Sequence, residues 1–349
     1  MSVTIYDIAR EASVGIGTVS RVLNDHPSVS DKTRQKVLDV ARRLNYQPHA
    51  YAQGLARKKS NTISAIIPFF TNYFFVEVLQ GVQERISQSG YDLIIYGVTA
   101  SATNQANQLE PILRRLLQRG RSDGMLLFSM NLPSPLGEKL RQLKTPLVLV
   151  DAFSSSFDSI TIDNKLGAYT ATKHLLSLGH TRIGMISANL GSAPARLRLE
   201  GYRKALAEHG IPFDERYHKV SSLLKQDGFS REAGYISMAD MLELGPQLPT
   251  AVFASSDVQA IGAINALRDR GLKVPDDMAV VGFDDIELAK HVGLTTMRQP
   301  MYEMGVLAVD QLIRRIQKPD LSQSHTHFEP KLVVRETCGS AIVRMTAKD

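Results

Sequence analysis

The chain opens on a helical period and changes to alternating strands and helices near residue 62. Ile5, Ile8, Ala9 and Ala12 recur at i, i+3, i+4 and i+7, which gives a first short helix one apolar face. Thr4, with Asp7 three residues on, is placed to cap it, and Asp7 suits its first turn. After a tight Ser13-Val14-Gly15 turn, Val19, Val22 and Leu23 form the inner stripe of a second helix. Ile16, Gly17, Thr18, Ser20 and Arg21 then face outward. Ser30 caps a third helix running to about Asn45, with Val37, Val40, Ala41 and Leu44 inside. Pro48 breaks the pattern. The stretch that follows, to Lys58, is helical but marginal: it is short, and Gly54 costs about 1 kcal/mol relative to alanine.

From Thr62 apolar strands alternate with helices of 12–17 residues. The pattern predicts strands at 62–68, 91–97, 124–130 and 146–151 with helices between them. A second βα series begins with a helix at 165–178. It ends with strands near 278–283 and 295–298, a helix at 302–316 and one strand around 328–335. Such alternation implies parallel sheets covered on both faces. The roughly 280-residue span divides near 159–163 into two doubly wound lobes. Between the carboxyl ends of their strands such lobes leave a cleft, where small ligands bind.

Charge singles out the first segment. Residues 1–60 hold ten Lys/Arg against five Asp/Glu, so +5 of the chain's net +6 lies there. A solvated basic face would give the same count. A basic, three-helix head with a helix-turn-helix, however, is the footprint of a protein that sets its second helix in a DNA major groove. Elsewhere the composition excludes more than it selects. The single cysteine, Cys338, forms no internal disulfide, and no uninterrupted apolar stretch approaches 18 residues. With no apolar leader at the N-terminus, the expected place is the cytoplasm.

Catalytic signatures are missing. Gly15-Ile-Gly17 follows a helix rather than a strand and lacks the rest of a dinucleotide fingerprint. There is no Walker sequence, H-E-x-x-H, paired-cysteine site or Gly-x-Ser-x-Gly. No metal, no cofactor and no enzymatic activity are therefore expected. Asp151, Asp257 and Asp284, at predicted strand ends, serve as acid/base groups or equally as acceptors for a ligand's hydroxyls.

Several ordered stretches resemble the LacI/GalR family of bacterial transcription regulators. They are Val3-Thr-Ile-Tyr-Asp-Ile-Ala9 with Thr18-Val-Ser-Arg-Val-Leu-Asn24, Ile162-Asp-Asn-Lys-Leu-Gly-Ala-Tyr169, and His174-Leu-Leu-Ser-Leu-Gly-His-Thr-Arg-Ile-Gly184. Ala195-Arg-Leu-Arg-Leu-Glu-Gly-Tyr202, Thr250-Ala-Val-Phe-Ala-Ser-Ser-Asp257 and Val280-Val-Gly-Phe-Asp-Asp285 extend the similarity along nearly the whole chain. The resemblance implies an all-α helix-turn-helix head (1–48), a hinge helix and linker (49–60) and a periplasmic-binding-protein-like body. It further implies a first lobe of 61–160 with 293–323, and a second of 161–292 with 324–349.

By the same resemblance Thr4, Ile16, Gly17, Thr18, Ser20, Arg21, Asn24 and Ser30 contact DNA. Leu55, with Ala56 beside it, wedges into the minor groove at the operator's centre. Arg21 can donate twice to guanine, Ile16 offers only apolar contact, and Gly17 permits close approach. Gly15 stands where the family commonly has serine, which weakens that helix cap. Phe74, Asp151, Arg198, Phe229, Ser256, Asp257, Asp284 and Met301 are implied in effector binding. Core packing is the plain alternative for Phe229 and Met301, and helix capping for Asp257. The expected whole is a homodimeric repressor of a pseudo-palindromic double-stranded operator, controlled by a sugar or, second, a purine or nucleoside. A solute-binding protein would share the body without needing residues 1–60. An α/β enzyme acting on a sugar or nucleotide would share the cleft and turn its ligand over.

Overall fold

The computed structural model describes residues 3–24, 26–46, 60–98, 105–118, 122–130, 132, 134–142, 144–223 and 225–339. The chain divides into two compact units, Met1–Thr62 with Leu116–Asp123, and Ile63–Arg115 with Gly124–Asp349.

In the first unit, α1 (Ile5–Glu11), α2 (Ile16–Leu23) and α3 (Asp31–Arg43) close over Ile8, Ala9, Ala12, Val19, Val22, Val37, Val40 and Ala41. Asp7 reaches back at the start of α1, accepting from the Thr4 N–H at 2.9 Å and hydroxyl at 2.7 Å. Ser13 takes a positive φ of 49°, turning the chain out of α1. Gly15 opens α2 with no side-chain cap; its carbonyl accepts from Thr18 and Val19. Ser30 caps α3 by accepting from the Thr33 N–H. Where the chain leaves for the first strand, the Asp123 carboxylate accepts from the N–H groups of Ser60 (2.7 Å) and Asn61 (2.8 Å) and from the Ser60 hydroxyl (3.0 Å).

The second unit carries two six-stranded sheets. The first comprises β1 (Thr62–Pro68), β2 (Asp92–Val98), β3 (Gly124–Phe128), β4 (Leu147–Val150), β5 (Asp158–Ile162) and β11 (His325–Phe328), in the order β11-β5-β4-β3-β1-β2. The second comprises β6 (Ile183–Ser187), β7 (His218–Val220), β8 (Ala251–Ala254), β9 (Ala279–Asp284), β10 (Thr295–Arg298) and β12 (Lys331–Val333), in the order β12-β10-β9-β8-β6-β7. β1, β3, β4, β6, β8 and β9 are buried along their length, as strands covered on both faces must be.

The helices of this unit are α4 (Tyr73–Ser87), α5 (Gln105–Gln118), α6 (Ser134–Gln142), α7 (Asn164–Ser177), α8 (Ala193–Glu208), α9 (Arg231–Leu242), α10 (Asp257–Asp269), α11 (Glu287–His291) and α12 (Met301–Gln317). Glycine lets two of them touch in the first lobe. A Cβ on Gly81 of α4 would lie 2.1 Å from the Tyr302 carbonyl oxygen, and one on Gly305 of α12 2.1 Å from that of Val78. α12 is thereby seated on α4, far along the chain from it.

The lobe boundaries differ from those implied by the sequence. β5 extends the first sheet to Ile162, beyond 160. Residues 295–298, assigned to the first lobe with 293–323, belong to the second. They form β10, with Thr295 opposite Val281 and Arg298 opposite Asp284 on β9. The single strand expected around 328–335 is two: β11 adds to β5 in the first sheet and β12 pairs antiparallel with β10 in the second. Pro300 and Pro330 stand at these two crossings. Each lacks the N–H that a continuing ladder needs, so each ends the pairing and lets the chain change sheets.

Candidate functional site

Two surfaces gather the sequence-derived residues, one in each unit. On the head, Val19 and Val22 turn α2 inward, and Ile16, Gly17 and Arg21 are left exposed along its other side. Thr18 and Ser20 are half-buried at the rim. Asn24 is turned back on the helix end, its Nδ2 donating to the Ser20 carbonyl at 2.9 Å. Thr4 and Ser30 are exposed, each occupied as a helix cap. A Cβ at Gly17 would meet nothing within 4 Å, so no packing in the head demands glycine there. Leu55 and Ala56, like the rest of 47–59, lie outside the described residues.

In the body, the carboxyl ends of β4 and β9 turn sharply at Asp151 (φ 54°) and Asp284 (φ 124°). Such backbone is sparsely populated for a residue with a Cβ and holds about 1–3 kcal/mol of strain, a hallmark of functional turns. It aims both carboxyl groups into the space between the lobes. A small inner chamber of about 70 Å³ lies there, lined by Phe74, Asp151, Arg198, Phe229, Ser256 and Asp284 among others. Six of the eight expected effector residues thus come together from six separate segments.

Arg198, on α8, is almost fully buried at 4 % exposure, and its surroundings hold it rigidly. Its Nε donates to Asn164 Oδ1 at 2.8 Å and its Nη1 to the Ser255 carbonyl. The guanidinium carbon stacks 3.7 Å from the Phe283 ring centroid, and the Phe229 ring lies 5.9 Å away. Asp284 Oδ1 is 3.6 Å from Nη1 and accepts from Gln299 Nε2 at 2.6 Å. Asp151 accepts from the Ser129 hydroxyl at 2.6 Å.

Electrostatically the chamber is short of positive charge. Burial pushes the Asp284 carboxyl up to about 7, against the pull of Arg198. Burial also raises Asp151, opposed by the Ser129 hydrogen bond and by Arg198. The same burial lowers Arg198, with Asp284 and Asp151 acting the other way. Two carboxyl groups around one guanidinium leave an acceptor uncompensated when both ionise, and a ligand's hydroxyls can donate to it. The arrangement offers a ligand carboxylate acceptors, one fixed guanidinium and aromatic faces.

Two expected residues point elsewhere. Asp257 is fully buried but does not line the chamber: it accepts from the Ile286 N–H at 2.9 Å and the Thr296 hydroxyl at 2.5 Å. Nor does it cap α10; Ser256 does, accepting from the Gln259 N–H. Gly282 makes room for it, since a Cβ there would fall 2.3 Å from Asp257 Oδ1. Asp257 is a tie between α10, α11 and β10. Met301 is buried in the hydrophobic core at the start of α12. Neither lines the chamber.

The sequence reading missed Asn72, Asn164, Ser129, Phe283 and Gln299. Asn72, standing before an apolar run, was legible as a cap, and its Oδ1 does accept from the Phe74 N–H at 3.0 Å. Nothing local marks its second bond, from Nδ2 to the Phe229 carbonyl at 3.2 Å, which spans the two lobes.

Among the described residues no helix is long and apolar enough to cross a membrane. A family model of lacI-type bacterial regulatory proteins matches residues 4–49, and one of periplasmic binding protein-like domains matches 172–338. The ribose operon repressor of Haemophilus influenzae is 36% identical over 338 residues, 96% of this chain and 98% of that protein. Catabolite control protein A of Priestia megaterium is 34% identical over 342 residues, 97% of this chain and 99% of that protein. Among solved structures, the lac repressor dimer bound to operator and the anti-inducer ONPF superposes with a TM-score of 0.79. It is 28% identical, with 97% of this chain and 99% of that chain covered.

Proposed function

The chain belongs to the LacI family of bacterial regulatory proteins, and on that premise we propose that it is a cytoplasmic transcriptional repressor whose operator affinity is set by a sugar held between the lobes. One observation carries the effector side of this reading. Arg198 is buried beside two carboxyl groups and between aromatic rings, at the carboxyl ends of strands from both lobes. A sugar matches that chemistry: hydroxyls donate to Asp151 and Asp284, others accept from Arg198, and the apolar ring face lies against Phe74 or Phe229. The name of one relative, the ribose operon repressor, accords with a sugar.

On the DNA side, α2 enters the major groove with Ile16, Gly17 and Arg21 on base edges, while Thr18, Ser20 and the caps at Thr4 and Ser30 hold phosphates. Leu55 and Ala56, in the 49–60 hinge, serve at the minor groove. Two heads read a pseudo-palindrome, because dimer symmetry is mirrored in the site. The effector acts by binding two lobe arrangements unequally. The protein turns no ligand over.

The test is selection from random duplexes with the full-length protein, with and without candidate sugars. A recovered inverted repeat whose retention in a gel shift changes with one sugar is the expected result. Failure to prefer any duplex at physiological salt, in either condition, would overturn the reading.

A further inference from the structure

The inner chamber does not end at Asp151 and Ser192. Both also line a wider outer chamber of about 540 Å³, which shares Ser129, Asp151, Ser192, Pro194 and Asp227 with the first and is walled by His325, Thr326 and His327. Ligand sites run to about 300–1,000 Å³, so the inner chamber falls well short of that size and the outer one within it. A ligand seated on Arg198 that is larger than the inner chamber has room toward the outer one, with which it shares Asp151 and Ser192.

The outer walls are built for a particular chemistry. Phe153 stands 66 % exposed at the chamber's edge, with its ring 5.2 Å from that of His325. His325 shares a hydrogen bond through Nδ1 with the Ser159 hydroxyl (2.8 Å), and His327 does the same with Thr161 (2.9 Å). Both imidazoles are thereby oriented, and that of His325 presents Nε2 as its hydrogen-bonding edge. Charge excludes one ligand class. Among the described lining residues of the outer chamber there is no Lys or Arg, while Asp151 and Asp227 contribute carboxyl groups. In the inner chamber Arg198 lies beside Asp284, and Asp151 and Asp227 also line the wall. The α8 start, which also lines both chambers, has Pro194 in its first turn and so lacks one amide donor there. A phosphate or carboxylate in the outer chamber would stand beside two carboxyl groups with no lysine or arginine to pair it.

We propose that the two chambers form one site for a neutral disaccharide or glycoside, with the first ring held by Arg198 and Asp284 and the second stacked on Phe153 beside His325. The proposal rests on the sugar reading above and narrows it, away from free monosaccharides and sugar phosphates.

Calorimetric titration of the full-length protein decides it, using glucose, galactose, ribose, glucose 6-phosphate, cellobiose, maltose, lactose and sucrose as probes. The expected result is one disaccharide binding at least tenfold tighter than its component monosaccharides and its phosphorylated counterpart. Phe153→Ala should abolish that advantage without changing monosaccharide affinity, and Phe153→Tyr should restore it. Because Phe153 is exposed, neither variant threatens the core. Equal affinity for mono- and disaccharide, tighter binding of the phosphate, or an advantage that survives Phe153→Ala would overturn the second subsite and leave the sugar reading standing. No binding by any probe would overturn both.

Discussion

Asn72 holds Phe229 across the mouth of the cleft. Its Oδ1 caps α4 while its Nδ2 donates to the Phe229 carbonyl at 3.2 Å, so one side chain both starts a helix of the first lobe and fastens the second. Asn72→Asp separates the two roles. Aspartate caps a helix as well as asparagine does, but it presents an acceptor to the carbonyl. Global stability should change little, while the contact between the lobes loses a hydrogen bond worth about 0.5–1.5 kcal/mol. Effector affinity should fall about two- to tenfold by titration calorimetry, with an unchanged melting temperature of the unliganded protein. Unchanged affinity would mean that the bond does not hold the lobes.

The carboxyl group of Asp284 makes stability depend on pH. Its ordinary value is 3.8 and burial raises it to about 7 in the folded protein. Below 3.8 it is protonated in both the folded and unfolded states, and its stabilising contribution is complete. As pH rises the unfolded chain ionises first, and the contribution is gone above 7. Scanning calorimetry without ligand should therefore show a higher melting temperature at pH 6 than at pH 8. Asp284→Asn, which has no proton to lose, should flatten that difference. A slope unchanged in the variant would assign the effect to another group.

Gly17 sits inside a helix with open space where a side chain would go. Gly17→Ala should raise the head's stability by about 0.5–1 kcal/mol through reduced backbone entropy in the unfolded chain. The same methyl, on the face assigned to DNA, should weaken operator binding measured by fluorescence anisotropy. If both stability and affinity rise, position 17 does not approach the bases.

Arg21→Ala should relax preference at one base position by about 1–3 kcal/mol, where Lys32→Ala weakens all duplexes alike. Competition against single-base operator variants distinguishes the two.

Asp257 offers a contrast with Asp284, since both are buried carboxyls expected at the effector. Asp257→Ala leaves the Ile286 N–H and the Thr296 hydroxyl without their acceptor, at about 1–3 kcal/mol each. Denaturant unfolding should show that loss, with sugar affinity of the folded fraction unchanged. A large affinity loss with intact stability would return Asp257 to the site.

What the chain determines locally it determines well. Apolar spacing of three and four marks α1, α2 and α3, and the cap at Ser30 stops where its residues say. Buried apolar runs mark the parallel strands, and the motifs around Arg198 and Asp284 mark the cleft. These depend on neighbours within a turn or a strand, and the sequence records neighbours directly. Only the tertiary structure decided which sheet each of β10, β11 and β12 joins, because strands of three or four mixed residues carry no pattern that favours either sheet and the choice rests on partners up to 166 residues away. It decided, too, that Asp257 points to Thr296 while Asp284 points to Arg198. The outer chamber is its clearest product: Phe153, Thr161, Pro194 and His325 share no motif and meet only where the chain crosses between lobes. Such a meeting is a matter of long-range closure, which no local period encodes.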